Sequence, residues 1–273
     1  MRCPVVALVI ASTVLALAPP TRAEAPDPAD RVDEAVCADF ARAFDIDPSD
    51  VVSLRAFDLP RARGQTAVLV GRFHERRGDR RWTFPGLVVY ARCDFGPCLA
   101  HAYLGAAAKH VAPMALVDLD AGATELPTQL PSWNTRSIDG PERPRWPALV
   151  LAIERQPEVQ AATDVVVVSL RHPERPTVVF TSTLSERWPD ASAEEMRDHP
   201  RPAGAIVGRE LTGLRLEHAA KAHRITLTVQ PIDSRWSPCL RSKPYPVIYD
   251  LEASDPPHFR EVPPASPPPL PCH

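Results

Sequence analysis

Two short apolar runs decide the fold class of this sequence: Ala148-Leu149-Val150-Leu151-Ala152-Ile153 and Val165-Val166-Val167-Val168-Ser169-Leu170. Val, Leu and Ile fill most of their positions, and polar or turn-forming residues flank each run. A short apolar run that is rich in β-branched side chains is typical of a β-strand, since a buried helix is usually longer. We therefore predict that both runs are strands.

The same kind of pattern continues outward from these two runs in both directions. Short stretches of alternating or continuous apolar residues recur along the chain, separated by Pro, Gly, Asp and Ser, which end strands and form hairpin turns. The further predicted strands are Val51–Phe57, Thr66–Phe73, Leu87–Ala91, Leu99–Leu104, Ala115–Leu119, Thr177–Ser182, Leu211–Glu217, Ile225–Val229, Val247–Leu251 and Phe259–Val262.

The order of these elements defines the expected fold class. Helices and strands do not alternate, so a doubly wound parallel sheet is disfavoured. We predict a mainly β, multi-stranded antiparallel architecture, either propeller-like or a sandwich, with one N-terminal amphipathic helix. The helix is predicted over residues 30–44, where Val32, Val36, Phe40 and Phe44 recur at four-residue spacing and form one apolar stripe.

The two ends of the chain and one internal segment suggest its organisation. Residues 1–23 have the basic start, apolar run and small-residue cleavage site of a signal peptide, so we expect a periplasmic or extracellular protein. The first β half, with the helix, is predicted to cover residues 24–126 and the second β half residues 148–262. A Pro-rich loop or linker (127–147) separates the halves, and a Pro-rich tail (263–273) ends the chain.

The charge balance bears on the class of partner. The chain carries 31 basic and 34 acidic residues, for a formal net charge of −3. That balance gives no reason to expect binding to nucleic acid, and no later apolar run is long enough for a membrane span. A protein or polyanion partner remains open, and we expect no cofactor.

The cysteines are expected to form disulfides, as is usual in exported proteins. Cys93 and Cys98 flank turn residues between two predicted strands, so we predict that they close a hairpin. Cys272, near the C-terminus, is predicted to pair with Cys239. Cys37 would then be the unpaired thiol, buried on the helix as a small apolar residue.

The segment Val117-Asp118-Leu119-Asp120-Ala121-Gly122-Ala123-Thr124-Glu125-Leu126 resembles the Asp-rich loop of FG-GAP or VCBS-type β-propeller repeats. A second segment, Ala56-Phe57-Asp58-Leu59 followed by Gly64, has a similar outline. The resemblance implies a propeller fold and calcium ligands at Asp118, Asp120 and Glu125. The alternative is a turn with scattered acids, because calcium takes six to eight oxygen ligands.

An arginine cluster is the most charged feature of the sequence. Its members flank the predicted hairpin tip Gly78-Asp79: Arg72, Arg76, Arg77, Arg80 and Arg81. Such a cluster could bind phosphate, sulfate or an acidic polymer through charge-assisted hydrogen bonds. The alternative is a solvated tip whose charges discourage strand addition.

Two further groups of residues could carry chemistry. His218 and His223 are spaced to face each other across a hairpin, which could begin a zinc site, although such a site usually has a third protein ligand. Asp164 and Glu154, at strand ends, could form the carboxylate pair of a glycoside hydrolase. No catalytic motif is present, so we expect an exported, non-enzymatic binding or structural protein of the periplasm or cell envelope. The alternative is a secreted, glycan-type hydrolase.

Overall fold

A computed structural model describes residues 34–57, 68–94, 96–126, 140–141, 144–155, 161–187, 206–219, 222–233 and 244–264. Several predictions lie outside these residues: the signal peptide, Cys239 and Cys272, most of the loop 127–147 and most of the tail 263–273.

The described residues form one helix, one 3₁₀ turn and thirteen strands, so the prediction of a mainly β fold with an N-terminal helix is confirmed. The helix is α1 (Glu34–Phe44) and the turn is Pro48–Asp50. The strands are β1 Val51–Phe57, β2 Val68–Arg77, β3 Arg80–Cys93, β4 Gly96–Tyr103, β5 Ala108–Asp118, β6 Ala123–Leu126, β7 Pro147–Arg155, β8 Ala161–Ser169, β9 Thr177–Arg187, β10 Ile206–Ala219, β11 Ala222–Asp233, β12 Tyr245–Glu252 and β13 His258–Glu261.

The strands pair into antiparallel sheets. One sheet has the order β1-β2-β3-β4, and the other has the order β13-β12-β11-β10-β9-β8-β7-β5. Strand β6 follows the edge strand β5 in sequence, yet it pairs with β10, so the larger sheet curls back on itself. No propeller is found in the described part of the chain. The strands before and after residues 127–147 belong to the same sheet, because β5 pairs with β7.

The smaller sheet packs against one face of the larger sheet. Leu87 and Val89 from β3 share a buried cluster with Leu149 and Leu151 from β7 and with neighbours on β8. The other face of β7 and β8 packs against β10 to β13 through a second buried cluster. Strands β7 and β8 are therefore buried on both faces, which explains why their sequences contain almost no polar alternation. Each fully buried Leu or Val contributes about 1.5–3 kcal/mol.

Helix α1 covers the outer face of the smaller sheet. Its buried side chains include Phe40 and Phe44, as the apolar stripe predicts. Two glycines, Gly71 and Gly86, lie opposite each other in the sheet beneath these rings. A Cβ atom on Gly86 would lie 2.5 Å from the Phe44 ring. The glycine pair therefore leaves the space in which the helix docks.

The cysteines follow the prediction at one pair and depart from it at Cys37. Cys93 and Cys98 form a disulfide across the β3–β4 hairpin, with a Cα–Cα distance of 5.8 Å. Cys37 is also disulfide-bonded, so the prediction of a free thiol was wrong. Its side chain is buried as expected, but burial is compatible with half of a disulfide as well as with a thiol. Among the described cysteines, none is free.

Candidate functional sites

The arginine cluster lies on a two-stranded arm, which we define as residues 74–83. Strand β1 pairs with β2 only as far as Phe73, and β4 pairs with β3 only from Gly86 onward. Among the described residues, the two strands of the arm therefore form sheet hydrogen bonds only with each other. Gly78 takes a left-handed conformation at the tip, with φ of 62°, which glycine adopts without strain. The predicted hairpin tip is confirmed.

Four of the five predicted arginines face one another directly across this arm. Arg76 is paired with Arg81, and Arg77 is paired with Arg80. Like charges directly opposite each other on neighbouring strands destabilise a sheet. Because the side chains of a strand alternate between its faces, each face of the arm carries one such pair.

Two of the four guanidinium groups are neutralised by nearby acids. Arg77 forms an ion pair with Glu75 at 3.1 Å and lies over the Phe84 ring, 4.1 Å from its centroid. Arg81 forms an ion pair with Asp50, next to the start of β1.

The other two arginines, Arg76 and Arg80, are exposed. Neither has an acidic partner within ion-pair distance among the residues that the structure describes. Each face of the arm therefore presents one arginine that is available to an external anion.

Arg72 has a different role from the other members of the cluster. It donates hydrogen bonds to Ser53 Oγ at 3.0 Å and to the backbone carbonyl of Lys109 on β5. Burial, together with the neighbouring Arg55, lowers the pKa of Arg72. Arg72 therefore joins the two sheets at the base of the arm.

Two histidines near this base lie in a positively charged environment. Burial is the main cause that lowers the pKa of His74, and Arg81 and Arg72 lower it further. Burial likewise lowers the pKa of His110, with contributions from Arg72 and Lys109. Asp50 acts to raise the pKa of His74, and Glu154 acts to raise the pKa of His110, but neither reverses the shift. Cationic groups therefore predominate around both rings.

The three predicted calcium ligands have separate partners. The Asp118 carboxylate accepts hydrogen bonds from the backbone N–H groups of Asp120, Arg145 and Trp146, at 2.8–3.0 Å. Glu125 lies 3.6 Å from Arg215, and its side chain is 70% exposed. Asp118 therefore shapes the loop after β5 with both of its carboxylate oxygens.

Asp120 lies instead beside the two histidines of the β10–β11 hairpin. His218 and His223 are directly opposed in the ladder, and their rings stack in parallel with centroids 4.2 Å apart. His223 Nε2 lies 2.7 Å from Asp120 Oδ1. One possible ligand atom from each of the three residues lies within 4.8 Å of the other two. Among the described residues, this is the one cluster of three or more side chains that could hold a metal ion.

In the sequence these three residues belong to two separate predicted groups. Asp120 was assigned to the calcium set, and the histidine pair lacked a third ligand. The link depends on the pairing of β6 with β10, which places Gly122 O 2.8 Å from the backbone N–H of His218. Strand β6 was not predicted, so nothing in the sequence indicated that Asp120 lies close to the two histidines.

Comparison with known proteins finds no matching family model, curated protein or solved structure. Functional inference therefore depends on the geometry of the sites themselves.

The predicted carboxylate pair is not assembled. Asp164 is directly opposite Ile153, so these two side chains lie on the same face of the sheet. Glu154 follows Ile153 in the strand and therefore points to the other face. The buried Asp164 carboxylate accepts two hydrogen bonds from Arg155, at 2.7 and 2.9 Å, and one from Thr183 at 2.7 Å. These contacts are those of a structural ion pair.

A groove of about 530 Å³ lies between α1 and β4. Asp39 and Tyr90 line it, and the Tyr90 hydroxyl donates to Asp39 Oδ2 at 3.0 Å. Arg42 donates to the other oxygen of Asp39. Asp39, Arg42 and Tyr90 are therefore bonded to one another.

Among the described residues, no helix is long and apolar enough to cross a membrane.

Proposed function

We propose that this protein is an exported, non-enzymatic binding protein of the periplasm or cell envelope, and that its arm, residues 74–83, binds an acidic polysaccharide. The observation that carries the proposal is the pair of exposed arginines, Arg76 and Arg80, each set opposite another arginine. An anion bound at either position would supply the counter-charge that the described part of the chain does not provide for these two groups. Guanidinium groups suit this task because they form strong bidentate bonds with sulfate, phosphate and carboxylate groups.

The shape of the arm supports a polymer as the ligand. Because the arm has no neighbouring strand in the part of the chain that the structure describes, it can be approached along both faces, and each face offers one arginine. Its base is held by Arg72, which bonds to the other sheet, and by the partly buried Trp82, which packs onto the core beneath α1. Because Arg76 and Arg80 lie on opposite faces, a polymer with repeated anionic groups would contact both by passing around the arm, and two such contacts would raise the overall affinity above that of either one.

The overall charge of the protein supports a local contact. The chain is slightly acidic, with a formal net charge of −3. Non-specific attraction of polyanions to the whole surface is therefore weak, and binding would depend on the arm.

The expected compartment agrees with the state of the cysteines. Disulfides persist in oxidising compartments and are rare in the cytosol. The Cys93–Cys98 disulfide and the bonded Cys37 therefore support export through the predicted signal peptide. The alternative hydrolase loses its main support, because Asp164 and Glu154 lie on opposite faces of the sheet.

A direct binding measurement tests the proposal. The secreted, oxidised protein is titrated with heparin, which carries sulfates, with polygalacturonate, which carries carboxylates, and with neutral dextran. We expect binding to one or both acidic polymers, weakening as salt is raised, and no binding to dextran. Absence of binding to both acidic polymers at low salt, or equal binding to dextran, would overturn the proposal.

A further inference from the structure

We propose that Asp120, His218 and His223 bind one divalent transition-metal ion, with Zn²⁺ as the representative ion. The site lies on the loop after β5 and on the β10–β11 hairpin, which are parts of the larger sheet. It therefore involves different residues from the arm and does not depend on polysaccharide binding.

The β10–β11 ladder brings two imidazole ligands together. His218 and His223 are directly opposed, so their side chains leave the same face of the hairpin. Ligand atoms of the two rings and of Asp120 lie within 4.8 Å of one another. The rings are parallel, at an interplanar angle of 1°, so at least one of them must rotate for both nitrogen lone pairs to point at one ion. Imidazole nitrogen is a preferred ligand of zinc, copper, nickel and iron.

The loop after β5 delivers the third ligand in a fixed position. Asp118 accepts the backbone N–H of Asp120, and it also holds Arg145 and Trp146. On the far side, Gly122 accepts the backbone N–H of His218. The Asp120 carboxylate is therefore held toward the histidines by backbone contacts on both sides of it.

Neighbouring groups also fix the orientation of the half-buried histidine, His223. The ring of His223 meets the edge of the Trp146 ring, with centroids 4.8 Å apart, and Trp146 donates its indole N–H to Ser169 Oγ at 2.7 Å. The His223 side chain is 19% exposed and the Asp120 side chain 26%. His218 is exposed, so an ion can enter from solvent on its side.

The donor set favours a transition metal over calcium. Two nitrogens and one carboxylate oxygen suit zinc and its neighbours, whereas calcium takes six to eight oxygens. Three protein ligands leave a fourth tetrahedral position for water. In a tetrahedral zinc site the ligand atoms lie roughly 3.3 Å apart, so the 2.7 Å contact between His223 and Asp120 opens slightly as the ion enters.

The test is a calorimetric titration of the oxidised, full-length secreted protein with Zn²⁺, after treatment with a chelator. We expect one ion per chain. The variants Asp120→Asn and His218→Ala should each weaken binding by roughly tenfold or more. The matched control is His172→Ala, because His172 also lies beside an acid, Glu174, on an exposed turn; it should bind zinc like the wild type.

The two site variants were chosen to preserve the fold. Asp120→Asn keeps the shape of the side chain, and His218 is exposed. Circular dichroism and urea unfolding without metal confirm that each variant is folded. Substitution with Co²⁺ adds a spectroscopic readout, because visible absorption bands of a nitrogen-ligated site should appear in the wild type and be lost in both variants. A wild type that binds no Zn²⁺, or folded site variants that bind like the wild type, would overturn the inference.

Discussion

Arg76 lies directly opposite Arg81 in the β2–β3 ladder, on an arm that has no neighbouring strand among the described residues. Asp50 neutralises Arg81, but Arg76 has no described acidic partner. Arg76 is therefore an exposed cation to which the described part of the chain supplies no counter-charge.

Removing the guanidinium opposite Arg81 and giving Arg81 a second carboxylate neighbour should stabilise the protein. In the variant Arg76→Glu, a carboxylate faces Arg81 across the strands. We expect the free energy of unfolding in urea to rise by about 0.2–1 kcal/mol. A matched control, Arg175→Glu, makes the same change of charge on an exposed turn and should leave stability within about 0.5 kcal/mol. A loss of stability in Arg76→Glu would show that Arg76 has a structural role.

The ion pair between the buried Asp164 and the half-buried Arg155 should contribute strongly to stability. The variant Asp164→Ala leaves the Arg155 guanidinium, whose side chain is only 25% exposed, without its carboxylate. We expect a loss of about 3 kcal/mol or more in the free energy of unfolding. Glu154→Gln, on the other face of the sheet, should cost less than about 0.5 kcal/mol. If Asp164→Ala unfolds at the same urea concentration as the wild type, the carboxylate is not structural.

The docking of α1 depends on the absence of a side chain at Gly86. In Gly86→Ala the new methyl group meets the Phe44 ring at 2.5 Å. We expect a loss of about 1–3 kcal/mol from overpacking, measured by urea unfolding. Gly122→Ala is the control, since a Cβ there has no heavy atom within 4 Å. Equal stability of the two variants would contradict the close packing of the helix.

Stability should fall as the solution becomes mildly acidic. Burial and nearby cations lower the pKa of His74 and His110 in the folded protein. Below about pH 6.5, the ordinary pKa of histidine, the unfolded chain therefore takes up protons that the folded chain does not. The stabilising contribution is present above that pH and is lost as pH falls toward the lowered values.

Unfolding in urea at a series of pH values between about 7 and 5 checks this expectation. The variants His74→Gln and His110→Gln should each flatten the fall in stability, and the double variant should flatten it further. Above about pH 7 both states hold neutral histidine, so the slopes should agree there. A free energy of unfolding that stays constant or rises as pH falls would contradict this expectation.

The elements of the fold were largely predictable, because strand sequences carry local signals. Each predicted strand overlaps an observed one, and Val51–Phe57 has the predicted bounds. The prediction for β3 began at Leu87, whereas the strand begins at Arg80. The missing residues are polar because they form the exposed arm. Strand β6, Ala123–Leu126, is too short to show an apolar pattern.

The contacts between distant elements could not be predicted. The pairing of β6 with β10 joins Asp120 to His218 and His223 across about a hundred residues, and nothing local in the sequence encodes that proximity. The same holds for Cys37, whose buried position on α1 suggested a free thiol. Alternation does place Asp164 and Glu154 on opposite faces, but only if both strands are paired in the observed register.

Binding of acidic polysaccharide to Arg76→Glu is the most direct test of the proposed function. The affinity of the folded variant for heparin and polygalacturonate is compared with that of the wild type and of Arg175→Glu, at the same ionic strength. We expect Arg76→Glu to bind both polymers roughly tenfold or more weakly, although it is at least as stable as the wild type. Arg175→Glu should bind them with wild-type affinity. If the two variants lose affinity equally, or neither does, the arm is not the binding surface.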